Sequence, residues 1–149
     1  MTSSTQNGLD WLRQHVDSFE KRASIFATMG MHDVELKEGH VVIHGRADER
    51  HLNPLGGVHG GFAATILDSV TGCAVHSTLA PGATFATIDL AVKMLRPVPT
   101  NEDLVAESKV SHLSRSLGVA EATLVDASGR LLAIGSATCF IKRPSTSGK

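Results

Sequence analysis

The 149-residue chain has no tyrosine, one tryptophan and five phenylalanines, and neither sign of charge prevails: 14 Lys and Arg face 15 Asp and Glu. Nucleic-acid binding draws on a basic stripe and stacking aromatics, so no nucleic-acid partner is expected. No apolar run approaches the roughly 18 residues of a membrane span, so no membrane partner is expected either. The opening MTSSTQNG lacks the basic and apolar regions of a signal peptide. Cysteine is scarce: Cys73 and Cys139 make no disulfide framework, which fits a reducing cytoplasm. The histidines show neither His-Glu-x-x-His nor Cys-x-x-Cys spacing, so no metal is expected. Gly-rich phosphate loops are missing as well. These absences leave a single soluble cytoplasmic domain, long enough to bury a core.

What is present concentrates in Asn53-Pro-Leu-Gly-Gly-Val-His59-Gly60-Gly61-Phe62-Ala-Ala-Thr-Ile-Leu-Asp68. Glycines directly after a histidine open a run in which Asp68 is the first acid. Between Arg50 and Lys93 the acids are Asp68 and Asp89, with no Lys or Arg to neutralise them. Burying an unpaired carboxylate costs at least about 2 kcal/mol. Asp68 is therefore the first candidate for chemistry. Its structural alternative is a helix carboxylate bonded to Thr65 or Thr71.

Around this stretch the pattern alternates between two periods. Leu9, Leu12, Val16 and Phe19 predict a broken helical stretch over 9–29, stopped by Gly30. Residues 33–45 read as a hairpin around Gly39, and 46–58 as a loop. From 61 to about 77 apolar and small residues surround the helix, as in a buried helix. Four strand-like runs follow at 84–95, 103–111, 117–126 and 131–141, with antiparallel pairing favoured by short connections. The ends, 1–8 and 144–149, read as frayed. One sheet and one all-round apolar helix are solved together by an α+β fold in which the sheet curls around the helix. The helix face left uncovered calls for a second copy.

The His59-Gly60-Gly61 triplet, Asp68 nine positions after the histidine, Asn53 upstream, Gly129-Arg130-Leu131 and the β-β-α-β-β-β-β order resemble the hotdog-fold acyl-CoA thioesterases, most closely the PaaI-type (phenylacetic-acid-degradation-related) branch. The resemblance spans about 30–142. It implies about six antiparallel strands wrapped around one helix, with a short N-terminal helical segment. It implies Asp68 as general base or nucleophile, and Gly60 as the glycine whose N–H polarises the thioester carbonyl. His59 would shape the loop beside the thioester, and Asn53 would orient water or the leaving thiolate. Thr87 matches a hydroxyl residue of the strand after the helix. Ser114, Arg115 and Ser116 match a turn that contacts the CoA nucleotide. The pocket would be set by the helix around Gly61, Phe62 and Ile66, and by the partner's strands. No cofactor is implied, because CoA enters as part of the substrate. The partner is a second copy in a homodimer, with a dimer of dimers on the outer sheet face.

The chemistry is sound on residues alone. The first N–H groups of a helix lack intrahelical partners and sit at its positive end. Asp68 lies on the order of 13 Å from His59 along the helix, too far for both to grip one carbonyl within a protomer. Two helices meeting head to tail across a dimer would bring them together. The leading expectation is hydrolysis of an aromatic or short-to-medium acyl-CoA. A hydratase, and a non-catalytic acyl-CoA-binding or sensing protein, are the alternatives.

Overall fold

The N-terminal segment is helical because two polar residues stop and start it. The Asn7 side chain accepts from the Asp10 N–H and opens α1 (Gly8–Phe19). Ser24 does the same for α2 (Ile25–Thr28) through the Ala27 N–H, and Gly30, at φ +63°, ends the stretch. The computed structural model describes residues 5–145. The expected fraying of the two ends falls mostly outside them. Inside, the start is ordered: Gly8 is buried, and its N–H donates to the Leu79 carbonyl at 2.8 Å.

The hairpin forms as its alternation predicts. β1 (Met31–Lys37) pairs with β2 (His40–Gly45), and Gly39, at φ +72°, makes the tight turn. After the loop comes α3 (Gly60–His76), then β3 (Thr84–Met94), β4 (Leu104–Leu113), β5 (Leu117–Val125) and β6 (Leu131–Lys142). The six strands pair antiparallel throughout, in one sheet of order β1-β2-β4-β5-β6-β3. β3 is thus not beside β4. The chain from Leu95 to Asp103, with Pro97 and Pro99, carries the strand path to the other side of the sheet.

The inner face of the sheet carries small residues among its large ones. Ala106 of β4, Ala120 and Ala122 of β5 and Ala137 of β6 are buried. A Cβ on Gly45 would lie 2.6 Å from Ile66 Cδ1, and one on Gly118 2.8 Å from Val75 Cγ1. The sheet can therefore close tightly on α3, whose Phe62, Ile66, Leu67, Val70, Ala74 and Val75 are all almost fully buried. One stripe of α3 stays half-buried: Ala64, Thr65, Asp68, Ser69, Cys73 and His76. Their spacing of three and four residues puts them on a single face. This is the face the protomer does not cover itself. No helix among the described residues is long and apolar enough to cross a membrane.

Candidate active site

A buried histidine organises the loop that leads into α3. His51 is 6 % exposed; its Nδ1 accepts from the Asp48 N–H at 3.0 Å and its Nε2–H donates to the Thr28 carbonyl at 2.7 Å. Its own carbonyl accepts from the His59 N–H at 2.8 Å, fixing the entry to the helix. Asn53 shapes the loop between them. Its Oδ1 accepts from the Leu55 and Gly57 N–H groups at 2.9 and 3.2 Å. With the oxygen committed to two backbone donors, the Asn53 Nδ2 amide is left as a hydrogen-bond donor. That suits a thiolate or another anion better than it suits abstracting a proton.

His59 caps α3: its Nδ1 accepts from the Gly61 N–H at 2.8 Å. The bond places the ring proton on Nε2 whenever His59 is neutral. It also consumes the Gly61 N–H, so that donor is held within the cap. The Gly60 N–H, by contrast, has no acceptor among the described residues. It is an unpaired donor at the positive end of a helix, where negative charge is stabilised. A side chain at Gly60 would lie 2.6 Å from Met94 Sδ, so the thioether of β3 rests against this glycine.

Asp68 sits eight residues further on, about 12 Å along the helix. Its Oδ1 is buried and has no hydrogen-bond partner among the described residues. The structural alternative of a threonine-bonded carboxylate does not occur. Thr65 Oγ1 donates to the Gly61 carbonyl at 2.8 Å, and Thr71 Oγ1 to the Leu67 and Asp68 carbonyls at 2.8 and 3.0 Å. Leaving such an oxygen unsatisfied costs about 1–3 kcal/mol or more. Burial pushes the Cys73 thiol up to about 12, and the Asp68 charge adds to the rise. Cys139 is likewise raised by burial, partly offset by Thr87, with Asp68 adding to the rise. Both sulfurs are therefore protonated near neutral pH and serve as neither nucleophile nor base. Thr87 is half-buried beside this group, its Oγ1 3.8 Å from Cys139 Sγ, just before a bulge in the edge strand.

The remaining candidates separate. Phe62 is 1 % exposed and packs on the His51 ring at 4.9 Å; it is a core residue rather than an exposed substrate contact. Ser114, Arg115 and Ser116 are exposed in the turn between β4 and β5. Gly118 packs on Val75, so this turn lies at the C-terminal end of α3, about 20 Å from Gly60 within one protomer. Arg143, which sequence reasoning missed, braces it: its Nε–H donates to the Arg115 carbonyl at 2.8 Å. His51 and Met94 were missed too, because neither sits in a local pattern that signals a site. Asn53, His59 and Gly60 are thus together at one end, Asp68 and Thr87 at mid-helix, and the basic turn at the other end.

A model of the thioesterase superfamily matches residues 55–133, from the Asn53 loop into β6. The chain belongs to the thioesterase superfamily. It is a thioester hydrolase with the hotdog fold. This thioesterase is 29 % identical over 137 residues to acyl-coenzyme A thioesterase 13 of Homo sapiens, covering 91 % of this chain and 94 % of that protein. A Streptococcus mutans protein solved with acetyl CoA bound is similar at 25 % identity and TM-score 0.68, over 77 % of this chain and 90 % of that one. The E. coli PaaI protein from the phenylacetic acid degradation operon superposes with TM-score 0.77 at 20 % identity, over 92 % and 96 % of the two chains. The PaaI likeness is one of fold alone.

Proposed function

We propose that this thioesterase is a cytoplasmic enzyme of the PaaI-type branch that hydrolyses an aromatic or short-to-medium-chain acyl-CoA to the free acid and CoA, at a site shared by two protomers. The thioester carbonyl of the substrate accepts the free Gly60 N–H of one protomer. Asp68 of the other takes the proton from an attacking water, or attacks the carbonyl itself to form an anhydride that water then hydrolyses to the free acid. Negative charge builds on the carbonyl oxygen, at the positive end of α3, and the tetrahedral intermediate collapses with loss of the CoA thiolate. The Asn53 Nδ2 donor stands on the same loop to stabilise that anion. A thiolate leaves readily, so no strong acid is needed. The human relative's name and the acetyl CoA bound to the streptococcal relative support the substrate class. The triplet His59-Gly60-Gly61 and its spacing to Asp68 support the branch.

The observation that carries the reading is the buried Oδ1 of Asp68, without a hydrogen-bond partner among the described residues, on the helix stripe that stays half-buried. The test is CoA release across a panel of acyl-CoAs, followed with a thiol-reactive dye, for Asp68→Asn and Asp68→Ala. Removing a positioned base lowers the rate by about 10²–10⁴-fold. That loss is expected in kcat, with circular dichroism unchanged. Full activity in either folded variant would sink the assignment.

A further inference from the structure

The Gly60 end of the helix opens on a cavity of ≈ 270 Å³ within a single protomer. Its walls are Val58, Ala63, Leu95, Pro97, Val98 and Leu132, with Met94 against Gly60. No acid, amide or hydroxyl side chain lines it. Two polar side chains stand at its boundary, each with one group engaged on backbone and the others, His59 Nε2 and the remaining Arg96 N–H groups, left over. His59 Nδ1 holds the Gly61 N–H, and Arg96 Nη1–H donates to the Leu131 carbonyl at 2.7 Å. Past these two residues the lining is Val58, Ala63, Val98, Leu132 and Ala133, where a phenolic or carboxylated acyl group would lose hydration without gaining a matched partner. A hydrocarbon chain would not.

Met94 is placed to set the depth of this cavity. It is the last residue of β3, and the backbone beyond it is pinned, since the Leu95 and Arg96 N–H groups both donate to the Leu132 carbonyl at 2.8 and 3.0 Å. The side chain is not pinned: Met94 is 56 % exposed, and Leu95 beside it 50 %. A thioether on three rotatable bonds fills irregular space and yields to a ligand. Two large apolar side chains exposed beside an unpaired N–H donor make sense if an apolar ligand covers them. Any carbonyl accepting from Gly60 has its substituents within reach of this methionine.

We propose that the cavity beside Gly60 receives an aliphatic acyl group and that Met94 sets the chain length accepted, a refinement that rests on the acyl-CoA thioesterase reading above. The hydrocarbon enters along Gly60, displaces the thioether from the glycine, and lies against Val58, Ala63 and Leu132. Chains that outrun the cavity are held out at Met94.

The test compares kcat/KM for linear acyl-CoAs from acetyl to dodecanoyl, plus 4-hydroxybenzoyl-CoA, in wild type, Met94→Ala, Met94→Phe and Met94→Leu. A methylene in an apolar pocket is worth about tenfold or more in discrimination. Met94→Ala should therefore raise the long-to-short ratio of kcat/KM about tenfold or more, and Met94→Phe should lower it by a similar factor. Met94→Leu should keep the wild-type profile, and wild type should prefer aliphatic over 4-hydroxybenzoyl substrate. A change by the same factor across the whole panel in both the Ala and Phe variants would overturn the subsite. So would a wild-type preference for 4-hydroxybenzoyl-CoA. If wild type turns over the panel and Asp68→Asn does not, such a result rejects the subsite alone. If wild type releases no CoA from any substrate, the acyl-CoA reading falls and takes the subsite with it.

Discussion

Asp68 and His51 show how a candidate catalytic side chain differs from a structural one. Both are buried polar groups, wholly or in part, on or next to the loop and helix of the site. His51 uses both ring nitrogens on backbone partners, so its burial is compensated in full. The inner oxygen of Asp68 is compensated by nothing among the described residues. His76 is a third case, in which burial acts on a proton. Its ring packs beside Trp11 at 5.2 Å and meets the edge of Phe85 at 5.6 Å and 89°. A helix C-terminus favours a cation, yet burial wins here and holds the His76 pKa below the ordinary 6.5. The unfolded chain then binds the proton at a pH where the folded chain still does not. Stability is therefore full above about pH 6.5 and falls as pH drops below it. His76→Phe keeps an aromatic ring and removes the proton. Its Tm should fall less than that of wild type between pH 7 and pH 5. Superimposable curves of Tm against pH would show that His76 contributes nothing to the acid response.

At the scale of elements, α1 is held to the end of α3 by a contact that only glycine permits. A Cβ on Gly8 would lie 1.7 Å from the His76 carbonyl oxygen and 2.8 Å from its carbon. Those atoms are backbone at the helix end and cannot yield. Gly8→Ala should cost about 1–3 kcal/mol as an overpacking change. It should also lift α1 away, so that Trp11, the sole tryptophan, loses its tilted ring contact with His76 and its emission shifts to the red. Thermal melting and Trp11 fluorescence check this, and unchanged values of both would refute it. Such docking is invisible in the sequence, whereas the elements themselves are not. The 3.6 and 2.0 periods, with Gly30, Gly39 and the Asp126–Arg130 turn as punctuation, place each helix and strand to within a few residues. The position of β3 is not encoded in any local period. It is set by long-range pairing, in which β3 takes β6 rather than β4 as its neighbour.

The same division runs through the site when the molecule is taken whole. His59, Gly60, Asn53 and Asp68 stand out as candidates in the sequence because a capped helix start and an uncompensated acid are local patterns. Met94 against Gly60 and Arg143 at the far turn do not, because the sheet brings them there from distant strands. The sheet also ends on β3, eleven residues with a free edge and Ile88 61 % exposed. Monomeric proteins rarely leave so long an edge uncovered. A two-fold axis through this edge would pair β3 with its copy and set the two open α3 stripes side by side in opposite directions. Asp68 of one protomer would then approach Gly60 of the other. Two variants, each disabling one half of such a site, separate this arrangement from a site within one chain. Asp68→Asn removes the carboxylate. Gly60→Pro removes the N–H donor at the first helical position, where the backbone accepts proline; His59 before it already has the extended φ −62°, ψ 137° that proline requires, and the flexible Met94 thioether 2.6 Å from the new Cβ has to swing aside. Each homodimer should be nearly inactive. Mixed by refolding together, half the dimers carry one variant of each kind, and each of these has one site with both halves intact. Activity should return to about a quarter of the wild-type value. If Asp68 and Gly60 instead act within one protomer, every chain in the mixture is defective, and mixing restores nothing.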